Sequence, residues 1–152
     1  DLDANKGYLP VKNIKKGDVI RIHFDMPVRT VVANAKVADD NDKIAVERGP
    51  LVYCAEAVDN SNEPVLHAVM PKKPSFTLVD NYSIQNTETK GAPAFTVKAI
   101  VTSPAHVIYQ KKEGVVVVDC TPLTLIPYYA WNHRGANQMN VWFYQTLKFM
   151  EK

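Results

Sequence analysis

The sequence has almost no charge imbalance. Its formal net charge is +2, too small an excess to act as the electrostatic footprint of a nucleic-acid or anionic-membrane partner. The lysine pairs Lys15/Lys16, Lys72/Lys73 and Lys111/Lys112 lie far apart beside Gly or Pro and read as solvated turns. Cysteine is scarce. Cys54 and Cys120 make no C-x-x-C and no zinc spacing. Both sit in apolar runs, where buried free thiols are expected, and a disulfide between them is not readable from spacing. Long apolar runs are lacking too: none approaches the roughly 18 residues that span a bilayer. The chain opens without an initiator Met and without an apolar leader region, which suits a fragment or a processed chain and leaves the compartment unread.

Glycine is scattered, so neither G-x-G-x-x-G nor a Walker A loop can form, and G-x-S-x-G is missing. The histidines His23, His67, His106 and His133 show no ligand spacing. No catalytic residue, metal site or cofactor is therefore expected in this chain. No stretch carries a helical period bounded by caps; only 146–152 is expected to form a terminal turn.

What is there is a core. Apolar residues make up 46% and charged residues 22%, the balance of an ordinary folded domain. The dominant period is two, which alternates side chains across a strand. In 18–24, Ile20, Ile22 and Phe24 share one face, and this strand is expected to pair with 7–11 as a hairpin. Further strands are expected at 29–34, 43–47, 51–56, 66–70, 76–79, 82–84, 94–101, 107–109, 115–118, 123–130 and 139–144, with a turn at 39–42, a polar loop at 85–93 and a kink at Gly49-Pro50. The expected fold class is all-β: an antiparallel β-sandwich, jelly-roll-like, with little or no helix.

Two features invite chemistry. Glu47, Glu56 and Asp119 are candidates for paired carboxylates, with a structural role the plainer reading of each. Tyr128, Tyr129, Trp131, Trp142 and Tyr144 gather near the C-terminus, with Asn132, Arg134 and Asn137 alongside. Exposed rings with polar neighbours suit sugar stacking; the plainer reading is core and rim filling. Alternation sends Met139, Val141 and Phe143 to one side and Asn140, Trp142 and Tyr144 to the other, which makes Trp142 a candidate interface anchor. The sequon Asn81-Tyr82-Ser83 matters only in a glycosylating pathway.

Positions 43–60 read KIAVERGPLVYCAEAVDN and positions 125–142 read LIPYYAWNHRGANQMNVW. Together with Gly7-Tyr8 and Lys16-Gly17-Asp18-Val19-Ile20, they resemble the C-terminal part of glycoside hydrolase family 127, the β-L-arabinofuranosidase-like proteins, with His133 standing inside the Asn-Arg-Gly element. The resemblance covers nearly the whole chain and is weakest at 61–118. It implies a parent with an N-terminal (α/α) barrel that carries a cysteine nucleophile, a zinc site and an acid/base glutamate, followed by two β-sandwiches. Residues 38–152 would then be the C-terminal sandwich and 1–37 a remnant of the preceding one. Neither Cys54 nor Cys120 matches a barrel cysteine. The implied function is a non-catalytic accessory domain that packs on the catalytic barrel of a parent releasing L-arabinofuranose from plant glycans, in the periplasm or outside the cell. The alternative is a carbohydrate-binding module using Tyr128, Trp131, Asn132, Arg134 and Trp142. Exposed strand edges would allow self-association.

The motif residues Arg48, Gly49, Pro50, Tyr53, Glu56, Pro127, Tyr128, Tyr129, Trp131, Arg134, Gly135 and Trp142 are expected to be structural. Arg48-Gly49-Pro50 turns the chain sharply, with Arg48 bonding carbonyls left open there. Pro127 limits pairing. Gly135 suits a positive φ. Arg134 is expected to donate to a carboxylate across the loop, with Glu56 and Asp59 the candidates.

Overall fold

The computed structural model describes Tyr8 and residues 10–84, 92–101 and 120–145. The described residues include nine strands: β1 (Val28–Val31), β2 (Lys43–Arg48), β3 (Leu51–Glu56), β4 (Ala68–Met70), β5 (Phe76–Tyr82), β6 (Ala92–Val101), β7 (Cys120–Pro127), β8 (Met139–Asn140) and β9 (Phe143–Gln145). The helical content among the described residues is four single 3-10 turns. The chain is all-β, as its period-two patterning implies. None of the described helices is long and apolar enough to cross a membrane.

The expected jelly-roll-like sandwich of two open layers gives way to a closed barrel. β2 pairs with β9, β9 with β4, β4 with β6, β6 with β7, β7 with β3, and β3 returns to β2. Six strands thus close into a ring. Every pairing is antiparallel except β4 with β9. Closure removes free edges from the ring itself. The remaining edges belong to three outriggers, β1 on β2, β5 on β6 and β8 on β3.

Alternation explains which side chains fill the ring. Ile44 and Val46 of β2, Tyr53 and Ala55 of β3, Phe95, Val97 and Ala99 of β6, Leu123 and Leu125 of β7, and Phe143 of β9 join one buried cluster. Tyr53 and Phe95 stack with ring centroids 4.8 Å apart. Each such fully buried large side chain contributes about 1.5–3 kcal/mol. Odd and even positions swap roles on the outer face. There Cys54 and Ile126 form a second small cluster with Ile84, Ala94 and Ala130, against which Trp131, Met139 and Val141 pack.

Several sequence expectations change: the 123–130 strand stops at Pro127, with 128–130 a 3-10 turn, and of 66–70 only 68–70 is strand, after a 3-10 turn at 65–67. The 139–144 strand splits at Val141-Trp142, so that β8 pairs with β3 while β9 pairs with β2 and β4. Met139 and Val141 consequently pack outside the ring and Phe143 inside it, rather than sharing one face. The segment 76–79 runs on to Tyr82 as one strand whose register shifts between Val79 and Tyr82, and the rest of the expected 82–84 strand, Ser83 and Ile84, lies outside it. Residues 18–24 form no strand. Their alternation is real, but a ladder needs a partner edge, and Ile20, Ile22 and Phe24 are 54%, 66% and 72% exposed. The Gly49-Pro50 kink is the two-residue loop of the β2–β3 hairpin, which pairs Arg48 with Leu51. Gly49 has φ +55°, and Gly at the first central position is the composition of a II′ turn. The expectations for 107–109, 115–118, 146–152, His106, Asp119 and the Cys120 side chain, with most of the 85–93 loop, fall outside the described residues.

Candidate functional site

The densest group of titratable side chains gathers where β3 ends. Glu56, the last residue of β3, points away from the ring interior occupied by Tyr53 and Ala55. The chain then tightens into the 3-10 turn Ala57–Asp59, which brings the Asp59 carboxylate back beside Glu56. The opposite wall is the loop between the 3-10 turn Tyr128–Ala130 and β8. Asn132 (φ +65°) and Gly135 (φ +85°) fold this loop, a backbone that Asn and Gly accept most easily. Its end is tied to β3 by Ala57 N–H donating to the Gln138 carbonyl at 2.9 Å and by the Glu56–Met139 register.

Arg134 sits at the centre. Its Nη1 donates to Asp59 Oδ1 at 2.5 Å, and its Nη2 donates to both Asp59 Oδ2 and Glu56 Oε2. The side chains are 7% exposed for Arg134, 0% for Glu56 and 4% for Asp59. The sequence offered Glu56 and Asp59 as alternative partners; Arg134 engages both. Glu56 Oε1 accepts from the Asn132 backbone and from Asn137 Nδ2, each at 3.1 Å. Tyr82 donates its hydroxyl to Asp59 Oδ1 at 2.5 Å. The register shift before Tyr82 bends the end of β5, and such bulges commonly re-aim a side chain.

One cation between two buried anions leaves the cluster one negative charge over, distributed over amide and hydroxyl donors. The consequences show in the neighbouring groups. Hydrogen bonding to Asp59, then to Glu56, holds the Arg134 guanidinium above its ordinary range despite its burial. Burial first, then donation to Asp59, pushes the Tyr82 phenol up. Burial, reinforced by the Glu56 and Asp59 charges, pushes the Cys54 thiol up to about 12, so this cysteine stays protonated and unreactive at neutral pH. The carboxylates point at protein donors rather than at solvent, an arrangement that fixes a loop.

Asn60 extends the lock to β7. Its Nδ2 donates to the Glu56 and Thr124 carbonyls at 2.7 and 3.2 Å, and its Oδ1 accepts from Thr124 N–H at 2.7 Å. Asn60 and Tyr82 did not stand out in the sequence. Tyr82 lay inside the sequon, and Asn60 closed the first motif block, but nothing local showed that either reaches a distant strand.

The other sequence-named residues are spread out. Arg48, Gly49 and Pro50 make the hairpin turn. Tyr53 is fully buried, with Pro127 opposite it in register. Tyr128 and Tyr129 are exposed, while Trp131 and Trp142 are half-buried. Tyr128 and Trp131 lie 5.9 Å apart with planes tilted by 33°; no ring contact brings Trp142 to them among the described residues. Arg134 is committed to its carboxylates. Among the described residues no three or more His, Cys, Asp or Glu come together in a metal-holding group.

Comparison with known proteins gives consistent relatives. A non-reducing end β-L-arabinofuranosidase of Bifidobacterium longum subsp. longum is 31% identical over 134 residues, covering 84% of this chain and 20% of the relative. A solved GH127 β-arabinofuranosidase superposes over 96% of this chain and 22% of its own, with 41% identity and a TM-score of 0.78. A GH127 β-L-arabinofuranosidase from Geobacillus stearothermophilus T6 covers 80% and 18%, with 27% identity and a TM-score of 0.64. The chain thus spans about a fifth of the length of these relatives. Residues 28–144 match the profile of the glycoside hydrolase family 127 C-terminal domain, and the chain belongs to that family.

Proposed function

We propose that this chain is the non-catalytic C-terminal accessory domain of a family 127 glycoside hydrolase whose whole polypeptide releases L-arabinofuranose from glycans. It stabilises that enzyme by packing on its catalytic barrel. Within the parent, residues 38–152 make up the C-terminal β-domain, and 1–37 lead in from the preceding sandwich, with β1 at their end already paired onto β2.

The observation that carries this reading is the segment before β1. Ile20, Ile22 and Phe24 alternate as a half-buried strand does, yet lie exposed and have no strand partner among the described residues. Soluble domains rarely leave so regular an apolar face open unless another surface covers it. The locked cluster supports the non-catalytic part. Glycoside hydrolysis needs one carboxyl to give a proton and another to attack or activate water, whereas Glu56 and Asp59 are held by Arg134 away from solvent.

The test is hydrolysis of p-nitrophenyl β-L-arabinofuranoside. The full polypeptide turns it over and residues 1–152 alone do not; turnover by the isolated chain sinks the reading. A second reading, sugar binding at this domain, rests on the exposed Tyr128 ring beside Trp131. Its test is a saturable tryptophan fluorescence change with arabinofuranosyl oligosaccharides, and no response at millimolar sugar removes it.

A further inference from the structure

A second apolar surface lies at the end of the ring, around the β2–β3 turn. The Met26 thioether rests on Gly49: a Cβ there would stand 2.7 Å from its sulfur. Pro50 is exposed beside it. The β3–β7 ladder ends with Tyr53 opposite Pro127; the next residues outward are Val52 on β3 and Tyr128 in the 3-10 turn that follows β7, a turn that lies against β3. Tyr129 follows in the same turn. Met26, Val52, Tyr128 and Tyr129 are 41%, 37%, 42% and 51% exposed.

We infer that Met26, Pro50, Val52, Tyr128 and Tyr129 form one docking face, and that its occupant is the part of the same polypeptide that precedes this chain. This rests on the accessory reading above and names the surface it requires. Two observations choose the occupant. The incoming segment 10–27 already brings Met26 onto the face, so preceding chain is delivered to this spot. The relatives are about five times as long as the matched region, so chain is available to cover it. The composition fits: tyrosines flanking aliphatic side chains, with Arg48 at the rim, are what anchor protein interfaces. The Tyr128–Trp131 rings, tilted by 33°, make a poorer flat platform for a sugar ring.

Hydroxyl-radical footprinting of the dilute full polypeptide tests this without any variant. Tyr144 and Leu78, 48% and 45% exposed on other strands, are internal references. After each rate is divided by the intrinsic hydroxyl-radical reactivity of its side chain, Tyr128, Tyr129 and Val52 are expected to be labelled several-fold more slowly than these references. Labelling at the reference rate overturns the inference. So does protection that vanishes on dilution, which assigns the face to a second copy, or protection that appears only with arabinofuranosyl oligosaccharide, which assigns it to sugar. The residues Ile20, Ile22 and Phe24 separate the two readings. If they are protected while Tyr128 is labelled, the accessory reading stands and this face alone falls; if they too are labelled, the accessory reading fails with it.

Discussion

Arg134 grips Asp59 with both terminal nitrogens across 75 positions of sequence, and the same guanidinium holds Glu56. Removing the cation strands two carboxylates that are 0% and 4% exposed. Breaking a buried pair from one side costs about 3–5 kcal/mol, and Arg134→Ala is expected to fall in that range by urea unfolding with an unchanged slope. Arg134→Lys recovers only part, because an ammonium is a point charge and cannot fork onto two carboxylates. Glu56→Gln keeps an acceptor for Asn132 and leaves Arg134 its Asp59 partner, so it costs less, about 1–3 kcal/mol. An Arg134→Ala loss of roughly 0.5 kcal/mol or less, the level of an ordinary surface change, would show that the lock does not hold the loop.

Asn60 is a sharper probe because it both donates and accepts. Asn60→Ala loses three hydrogen bonds, with a cost of about 1–3 kcal/mol for the groups left unpaired. Asn60→Asp keeps the shape but turns an anion toward the Glu56 and Thr124 carbonyls, beside two existing carboxylates. It is expected to melt below Asn60→Ala at pH 7. The gap narrows as acid protonates the new carboxyl, since its burial favours the neutral form. Equal melting of the two variants across pH would refute this account of the site.

Stability should fall on the alkaline side. Cys54, Tyr82 and Tyr53 are all raised above their ordinary values, in each case mainly by burial. In the unfolded chain these groups ionise first, so above their ordinary pKa the unfolded state binds fewer protons and gains stability relative to the fold. Their contribution is complete below the ordinary thiol value of 9.0 and is lost as pH rises from there; for Cys54 the loss runs to about 12. Melting temperature is expected to be flat with respect to these groups through neutral pH and to drop steadily above 9. Cys54→Ala makes the drop shallower. In the native protein at pH 8, Cys54 should resist a thiol reagent that labels it after unfolding; rapid native labelling contradicts the burial that raises it.

Much of this was legible in the sequence, and the reason is period. Period two marked 43–47 and 51–56 as strands, and their alternation is what sends Ile44, Val46, Tyr53 and Ala55 into the ring interior. It could not say which edges meet, because a strand's faces are local while its partners are not. Closure of the ring rests on β9 pairing with both β2 and β4, and that required the 139–144 run to break at Val141-Trp142 against its own alternation. Segment 18–24 shows the converse, a strand pattern with no edge to receive it. At the site, Arg134 with Glu56 and Asp59 was readable because a cation and two acids sat in motif blocks. Asn60 with Thr124, 64 positions apart, was not, because an amide that stitches two carbonyls leaves no trace in spacing.

The Gly49 turn separates two causes that act at one atom. Its φ of +55° is strained for any residue with a Cβ, at about 1–2 kcal/mol. The Cβ would also press on the Met26 sulfur at 2.7 Å, but that sulfur is the mobile end of an adaptable side chain, so the steric part is small. Gly49→Ala is therefore expected to destabilise mainly through backbone strain. Gly49→Ala combined with Met26→Ala should then nearly equal the sum of the two single changes, because relieving the contact does not relieve φ. Denaturant unfolding of the four proteins in this cycle checks it. Strong rescue of Gly49→Ala by Met26→Ala would mean that the Met26 seat, not the turn geometry, is what demands glycine at position 49.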